Sequence, residues 1–355
     1  MRLFSCSYCK NTLYFENDRC LVCGTEIGFD TRRMAMVSLV KESPDLYHNY
    51  EAPGEKLRYC GNRAVISCNW LLRADSHEEF CISCRLNKTI PNLTVAGNAE
   101  RWQQLEAAKK RLIYSLLMLK LPFRQTGHLH DADLRFEFLS DEFSEHPVLT
   151  GHLNGLITIN IQEADEIYRH ITQLKMGEKY RTVLGHFRHE SGHFYWNRLV
   201  RDGGFVDPFR VLFGNEEAGY SEALQRYYEK GAPPGWEERY ISEYASAHPW
   251  EDWAETWANY LHILDAMETA WSFGIRLKPA DAMRAGLAAD MAEDPYGTDD
   301  FQRILANWVP ISIALNNLSR SMGHKDFYAF YISPKVAEKL SFIHNLCRMW
   351  SSQFV

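Results

Sequence analysis

The sequence predicts an α+β protein. A mainly helical domain with a small β-sheet is preceded by small four-cysteine modules. Three observations predict this. Pairs of cysteines two residues apart crowd the N-terminal quarter, long stretches downstream carry apolar residues at helical spacing, and a few short segments between residues 134 and 160 alternate as strands do. The expected division is a ribbon over residues 1–30, a linker and second cysteine module over 31–95, and the large domain over 96–355.

Composition excludes several function classes. At 46% hydrophobic and 24% charged residues, the chain has ordinary globular content. Its net charge of -7 argues against a nucleic-acid partner recognised by bulk electrostatics. No apolar run approaches the ~20 residues that a membrane helix needs. Met1 to Cys6 runs straight into a cysteine pattern without an apolar signal region. The expectation is a cytoplasmic protein, away from membranes. In that reducing setting nine cysteines point to metal rather than disulfides.

Cys6, Cys9, Cys20 and Cys23 form two knuckles separated by ten residues. Each knuckle lets two thiolates reach one ion from a tight turn, and two knuckles close a tetrahedral zinc site. The segment is too short for a core of its own, so the metal would supply folding energy. Residues 24–50 read as a partly ordered tether. Cys60, Cys68, Cys81 and Cys84 suggest a second structural zinc site, with His77 as an alternative ligand. Cys347 reads as a core residue.

Pro91–Asn98 marks a boundary. Residues 100–121 read as a core helix stopped by Pro122. Leu134–Phe138 alternates as a strand. Val148–Asn160 reads as a hairpin with Asn154-Gly155 at its tip. Leu156–Ile159 is the candidate edge strand for a substrate backbone. A short helix is expected over 162–175, and a motif helix beginning near Gly177–Glu178. Ser221–Tyr228 reads as helical. Pro249 suits the first position of another helix, and helices punctuated by Pro279, Pro295, Pro310 and Pro334 continue from there.

The motif helix carries His189-Glu190-Ser191-Gly192-His193, an H-E-x-x-H pattern. Residues four apart sit on one helical face, so two imidazoles converge on one ion. The adjacent Glu190 can then take a proton from water bound there. A catalytic zinc needs a third protein ligand. The all-histidine version requires Gly at 196 and His at 199, but this chain has Trp196 and Leu199. The remaining candidates are Glu251, Glu255 and Asp252. The favoured arrangement has Glu251 as ligand and Glu255 accepting the other ring N–H of a zinc histidine. Tyr244 is the candidate donor to a developing oxyanion, with His248 and His186 as alternatives. His152 reads as structural or as a further ligand.

Four stretches carry a family resemblance: Thr150 to His152, Gly155 to Asn160, Tyr180 to Glu190, and Tyr244 to Trp257. Together with the first cysteine ribbon, they make the chain resemble bacterial zinc-binding metallopeptidases that carry an N-terminal zinc-ribbon. The resemblance implies a zincin fold and peptidase activity, while the two four-cysteine patterns and the motif helix call for two structural zinc ions and one catalytic. The spacing of Tyr244, Glu251 and Glu255 is also similar to the active site of anthrax lethal factor, a glutamate-zincin. That similarity supports Glu251 as ligand and Tyr244 as oxyanion donor. A peptide or protein substrate is implied, with the ribbon as a site for a protein partner. The competing expectation is a non-catalytic scaffold whose ribbons bind protein or nucleic acid.

Overall fold

The computed structural model describes residues 1–123, 133–143, 147–170, 182–281, 286–328 and 330–352. The fold is α+β, with cysteine modules at its N-terminal end. Two compact units are present, and α2 (Asn98–Met118) changes unit between Tyr114 and Ser115.

The first unit comprises Met1–Tyr114, Leu134–Gly151 and Leu156–Tyr168. Its ribbon begins with β1 (Phe4–Ser5) antiparallel to β2 (Thr12–Leu13). An antiparallel five-stranded sheet follows in the order β3 (Glu26–Asp30), β4 (Ala35–Ser43), β5 (Leu46–Asn49), β6 (Ala52–Tyr59), β7 (Leu71–Arg73). The stretch expected to be a tether is therefore three strands. Its sequence hides them because β3 is covered on both faces. Ile27, Gly28, Phe29 and Asp30 are all buried, so no period of two appears. Between β6 and β7 lies the short helix α1 (Arg63–Ile66).

Helix α2 supplies one wall of this unit. Its Tyr114 packs edge-on against Phe15, with centroids 5.6 Å apart, and Phe15 packs on Phe29 at 4.9 Å. Phe29 in turn meets Trp70 at 5.1 Å. A second sheet runs in the order β10 (Gly151–Leu153), β11 (Leu156–Asn160), β9 (Arg135–Leu139), β8 (Asn87–Thr89). Asn154 and Gly155, at φ 48° and 83°, form the two-residue turn expected from sequence. The candidate edge strand needs correction. Leu156–Ile159 pairs in parallel with Arg135–Phe138 and has β10 on its other side. The edge is β10. A strand's place in the order depends on long-range pairing, which local alternation does not encode.

The second unit comprises Ser115–Asp133, His152–Gly155 and Arg169–Val355. Its helices are α3 (Val183–Tyr195), α4 (Val206–Phe213), α5 (Tyr220–Lys230), α6 (Pro249–Ser272), α7 (Phe301–Ser321) and α8 (Pro334–Ser352). A short antiparallel pair, β12 (Arg276–Leu277) and β13 (Ala289–Asp290), lies between α6 and α7. The described part of α3 starts at Val183, where Thr182 caps it by accepting from the Gly185 amide. The expected start near Gly177–Glu178, and the end of the helix expected over 162–175, lie outside the described residues.

Helix α6 is the core of this unit. Trp253, Trp257, Tyr260, Leu261 and Leu264 are fully buried. It begins as expected, with Pro249 in the first turn, and His248 caps it. Helix α3 crosses it closely at Gly192, where an added Cβ would meet the Ala254 Cα at 2.9 Å. Two indoles lock the crossing. Trp253 donates to the Gly192 carbonyl at 2.8 Å and Trp257 to the Ser191 hydroxyl at 3.0 Å. Beyond Tyr195 the helix continues as a π-helical turn over Trp196–Arg201. Pro310, expected to punctuate, sits inside α7. The carbonyl it leaves without a partner belongs to Ala306, an exposed residue, so water can satisfy it. No described helix is long and apolar enough to cross a membrane.

Candidate metal centre

Three clusters of ligand-type side chains are present among the described residues. In each, the donor atoms lie within 4.8 Å of one another. Cys6, Cys9, Cys20 and Cys23 form the first, and Cys60, Cys68, Cys81 and Cys84 the second. All eight are free thiols. The cysteine clusters have outer partners. Ser38, from β4, lies 3.5 Å from the Cys6 sulfur and accepts from the Ser7 amide at 2.9 Å. Thr25 lies 3.2 Å from the Cys23 sulfur.

In the second cluster all four cysteines are buried, and the Cys81 amide donates to the Cys60 sulfur at 3.3 Å. Lys110 of α2 is buried as well. Burial opposes its charge, yet the neighbouring thiols of Cys68, Cys84 and Cys81, with Glu106, hold it protonated above the usual lysine range. That charge opposes the negative charge that four thiolates would bring to a dication. His77 is exposed and stays outside the cluster. Cys347 is buried in the second unit, away from any such group.

The third cluster is His189, His193 and Glu251. Both histidines come from one face of α3, one turn apart. Glu251 comes from the first turn of α6, where a carboxylate also meets the helix dipole favourably. His189 Nε2 lies 3.0 Å from Glu251 Oε2, and His193 Nε2 lies 3.5 Å from Oε1. Glu251 is 1% exposed, and the nearest of the two imidazoles to its Oε2 is that of His189. A buried carboxylate facing two imidazoles suits a divalent cation.

The surrounding charges are consistent with this. Burial alone would raise the Glu251 carboxyl, but the imidazoles of His193 and His189 and the Tyr220 hydroxyl hold it at about 2. Burial drives His193 down to about 3, leaving its imidazole neutral. Burial also works against a proton on His189, but Glu251 and Glu255 more than offset it, and that imidazole rises well above its ordinary value. A proton there is the positive charge that faces Glu251 when no ion does.

Glu255 lies one turn further along α6. Its Oε1 sits 2.7 Å from His189 Nδ1, and its Oε2 accepts from the Ser242 hydroxyl at 2.6 Å. It therefore fixes the ring without joining the cluster. Asp252 points elsewhere. It pairs with buried Lys339 of α8 at 2.6 Å, and burial pushes its carboxyl up to about 7 against that pull. Glu190 is partly buried beside His189, and burial pushes its carboxyl up to about 7.

The Tyr244 ring lies 6.0 Å from the His189 ring, and burial keeps its phenol protonated far above the ordinary range. His248 has both ring nitrogens engaged, one with the Ala218 carbonyl and one with the Trp250 amide. His152 stacks 6.2 Å from His193, while its Nε2 accepts from the Gly155 amide. Its role is thus to close the hairpin, and it lies outside the cluster. His186 lies outside it too.

Sequence reasoning missed Tyr220, whose hydroxyl donates to Glu251 Oε1 at 2.7 Å. It also missed Arg188. That buried guanidinium pairs with Asp265 and His262 of α6 on the side of α3 away from the cluster. A charged residue inside the apolar stripe of a helix was the available signal for Arg188. Tyr220 offered none, since it follows a glycine loop 31 residues before Glu251.

Residues 98–346 match the family described as "Putative zinc-binding metallo-peptidase", and residues 3–95 match a zinc-ribbon domain. Uncharacterized proteins of Mycobacterium tuberculosis and Mycobacterium bovis are 39% identical over 347 residues, covering 98% of this chain and 95% of theirs. No solved structure matches the chain.

Proposed function

The chain belongs to that zinc-binding metallo-peptidase family, and on this premise we propose that it hydrolyses peptide bonds with Glu190 as general base. The observation carrying this reading is the cluster of His189, His193 and Glu251 with Glu190 beside it on α3. We assign these three as ligands of a catalytic zinc and the two cysteine clusters as structural zinc sites.

A zinc ion held there would polarise the scissile carbonyl and lower the pKa of attacking water. The remaining steps belong to the chain. Glu190 takes the proton of the attacking water and passes it to the leaving amine. Glu255, braced by Ser242, holds the His189 ring so that Nε2 faces Glu251. Tyr244, kept neutral, donates to the oxyanion as it forms. The substrate backbone adds to the outer edge of β10, whose His152 stacks beside His193.

The test is Glu190→Gln assayed on a peptide library, with zinc content measured in parallel. The expected result is retained zinc and a loss of turnover of at least about a hundredfold, the scale of general-base catalysis. Turnover equal to wild type would remove Glu190 from the mechanism. A wild-type chain that binds zinc but cleaves no peptide would favour the non-catalytic alternative.

A further inference from the structure

Tyr220 is the one group outside the His–His–Glu cluster that hydrogen-bonds to Glu251, apart from the histidines themselves, among the described residues. It opens α5, directly after Gly219. The residue is 37% exposed, so it is not there to fill the core. Its hydroxyl nevertheless meets a carboxylate that is 1% exposed. Burying that oxygen without a donor would cost free energy, and the phenol supplies the donor.

The loop before Tyr220 is braced on several sides. Arg210 holds Glu216 in a two-pronged pair at 3.0 and 2.6 Å. The Ala218 carbonyl accepts from His248, which itself caps α6 three residues before Glu251. The Tyr220 ring packs edge-on against His248 at 5.1 Å and Trp250 at 5.9 Å. The phenol and the carboxylate are thus held to the same helix start. A carboxylate free to rotate would offer either oxygen to the imidazoles. A single O–H takes Oε1 and turns Oε2 to the His189 imidazole, 3.0 Å away.

We propose that Tyr220 is a positioning residue that sets which oxygen of Glu251 is offered to the ion, and through it the affinity of the site for zinc. This rests on the reading of His189, His193 and Glu251 as the zinc site. Tyr244 keeps the separate role of oxyanion donor.

The test measures zinc affinity, not turnover. Full-length wild type, Y220F, E251A and the double variant Y220F/E251A are titrated with zinc against a chelator. Zinc held by the cysteine sites is counted in His189→Ala. Y220F should weaken the third site by about ten- to a hundredfold, the usual effect of losing a partner of a metal ligand. The cysteine sites should be unchanged. In the E251A background the same change should do nothing, because Tyr220 acts through Glu251. Y220F binding as tightly as wild type overturns the proposal. So does an equal loss in the E251A background, which would make Tyr220 a packing residue. If wild type and His189→Ala hold the same zinc, the metal-site reading itself falls, and this inference with it.

Discussion

His344 links a single residue of the second unit to pH. It is 1% exposed, its Nδ1 accepts from the Tyr260 hydroxyl at 3.1 Å, and its Nε2 donates to the Thr298 carbonyl at 3.0 Å. Burial pushes its imidazole down to about 4. The folded chain therefore binds the proton less well than the unfolded chain, whose histidine titrates near 6.5. Stability is unaffected by His344 above that value and falls as pH drops from about 6.5 to 4, by about 3 kcal/mol at most. His344→Gln should flatten this decline in urea melts relative to wild type. Identical slopes would mean that the imidazole is not buried neutral. At this scale the helical part of the metal centre was legible. His189 and His193 are four apart on one helix, so their convergence needs only local geometry. Glu251 and Glu255 were legible as candidates, but nothing local separated them from Asp252. The difference lies in a distant partner, since Lys339, 87 positions away, pairs with Asp252. Tyr220 was illegible for the same reason.

Among the elements, the crossing of α3 and α6 sets the distance between the histidines and Glu251. Gly192→Ala would place a methyl against the Ala254 backbone. Neither helix can yield there without moving the Trp253 and Trp257 hydrogen bonds. Overpacking of this kind costs about 1–3 kcal/mol. The expected outcome is a lower urea midpoint together with weaker zinc binding at the third site. An unchanged midpoint would show that the helices separate freely. Long amphipathic helices and capped starts, such as α2 and the Pro249 turn of α6, were readable because their signals are local. Strands β3 to β5 were not. β3 is buried on both faces and β4 is buried along one half and exposed along the other, so neither shows the alternation that announces a strand, and β5 alternates over only four residues. The position of β11 inside its sheet was equally hidden, because partners set it rather than pattern.

For the whole molecule, the proposed zinc ions of the cysteine clusters would stand in for core that short segments cannot supply. Cys68→Ser should release one zinc per chain and open residues 1–114 to limited proteolysis. A variant that keeps its zinc and its protease resistance would show that the second cluster holds no structural ion. Both four-cysteine patterns were legible from spacing, although the seven residues between Cys60 and Cys68 gave no knuckle. Lys110, the buried cation beside the second cluster, was not, because a lysine within the basic run Lys109-Lys110-Arg111 of a helix looks like part of a solvated face.

Helix α2 bears on how such a chain can be inherited. The zinc-ribbon match ends at residue 95 and the peptidase match begins at 98. Yet Tyr114 closes the aromatic cluster of Phe15, Phe29 and Trp70, and Lys110 serves the Cys68 site. A recombination joint at residue 96 would part Phe15 and Phe29 from Tyr114. The two sequence families are separable on paper, but the first folded piece extends well past the seam. A cysteine module cut at that seam would lack Tyr114 and Lys110, so a fold-competent piece has to carry the helix that follows it.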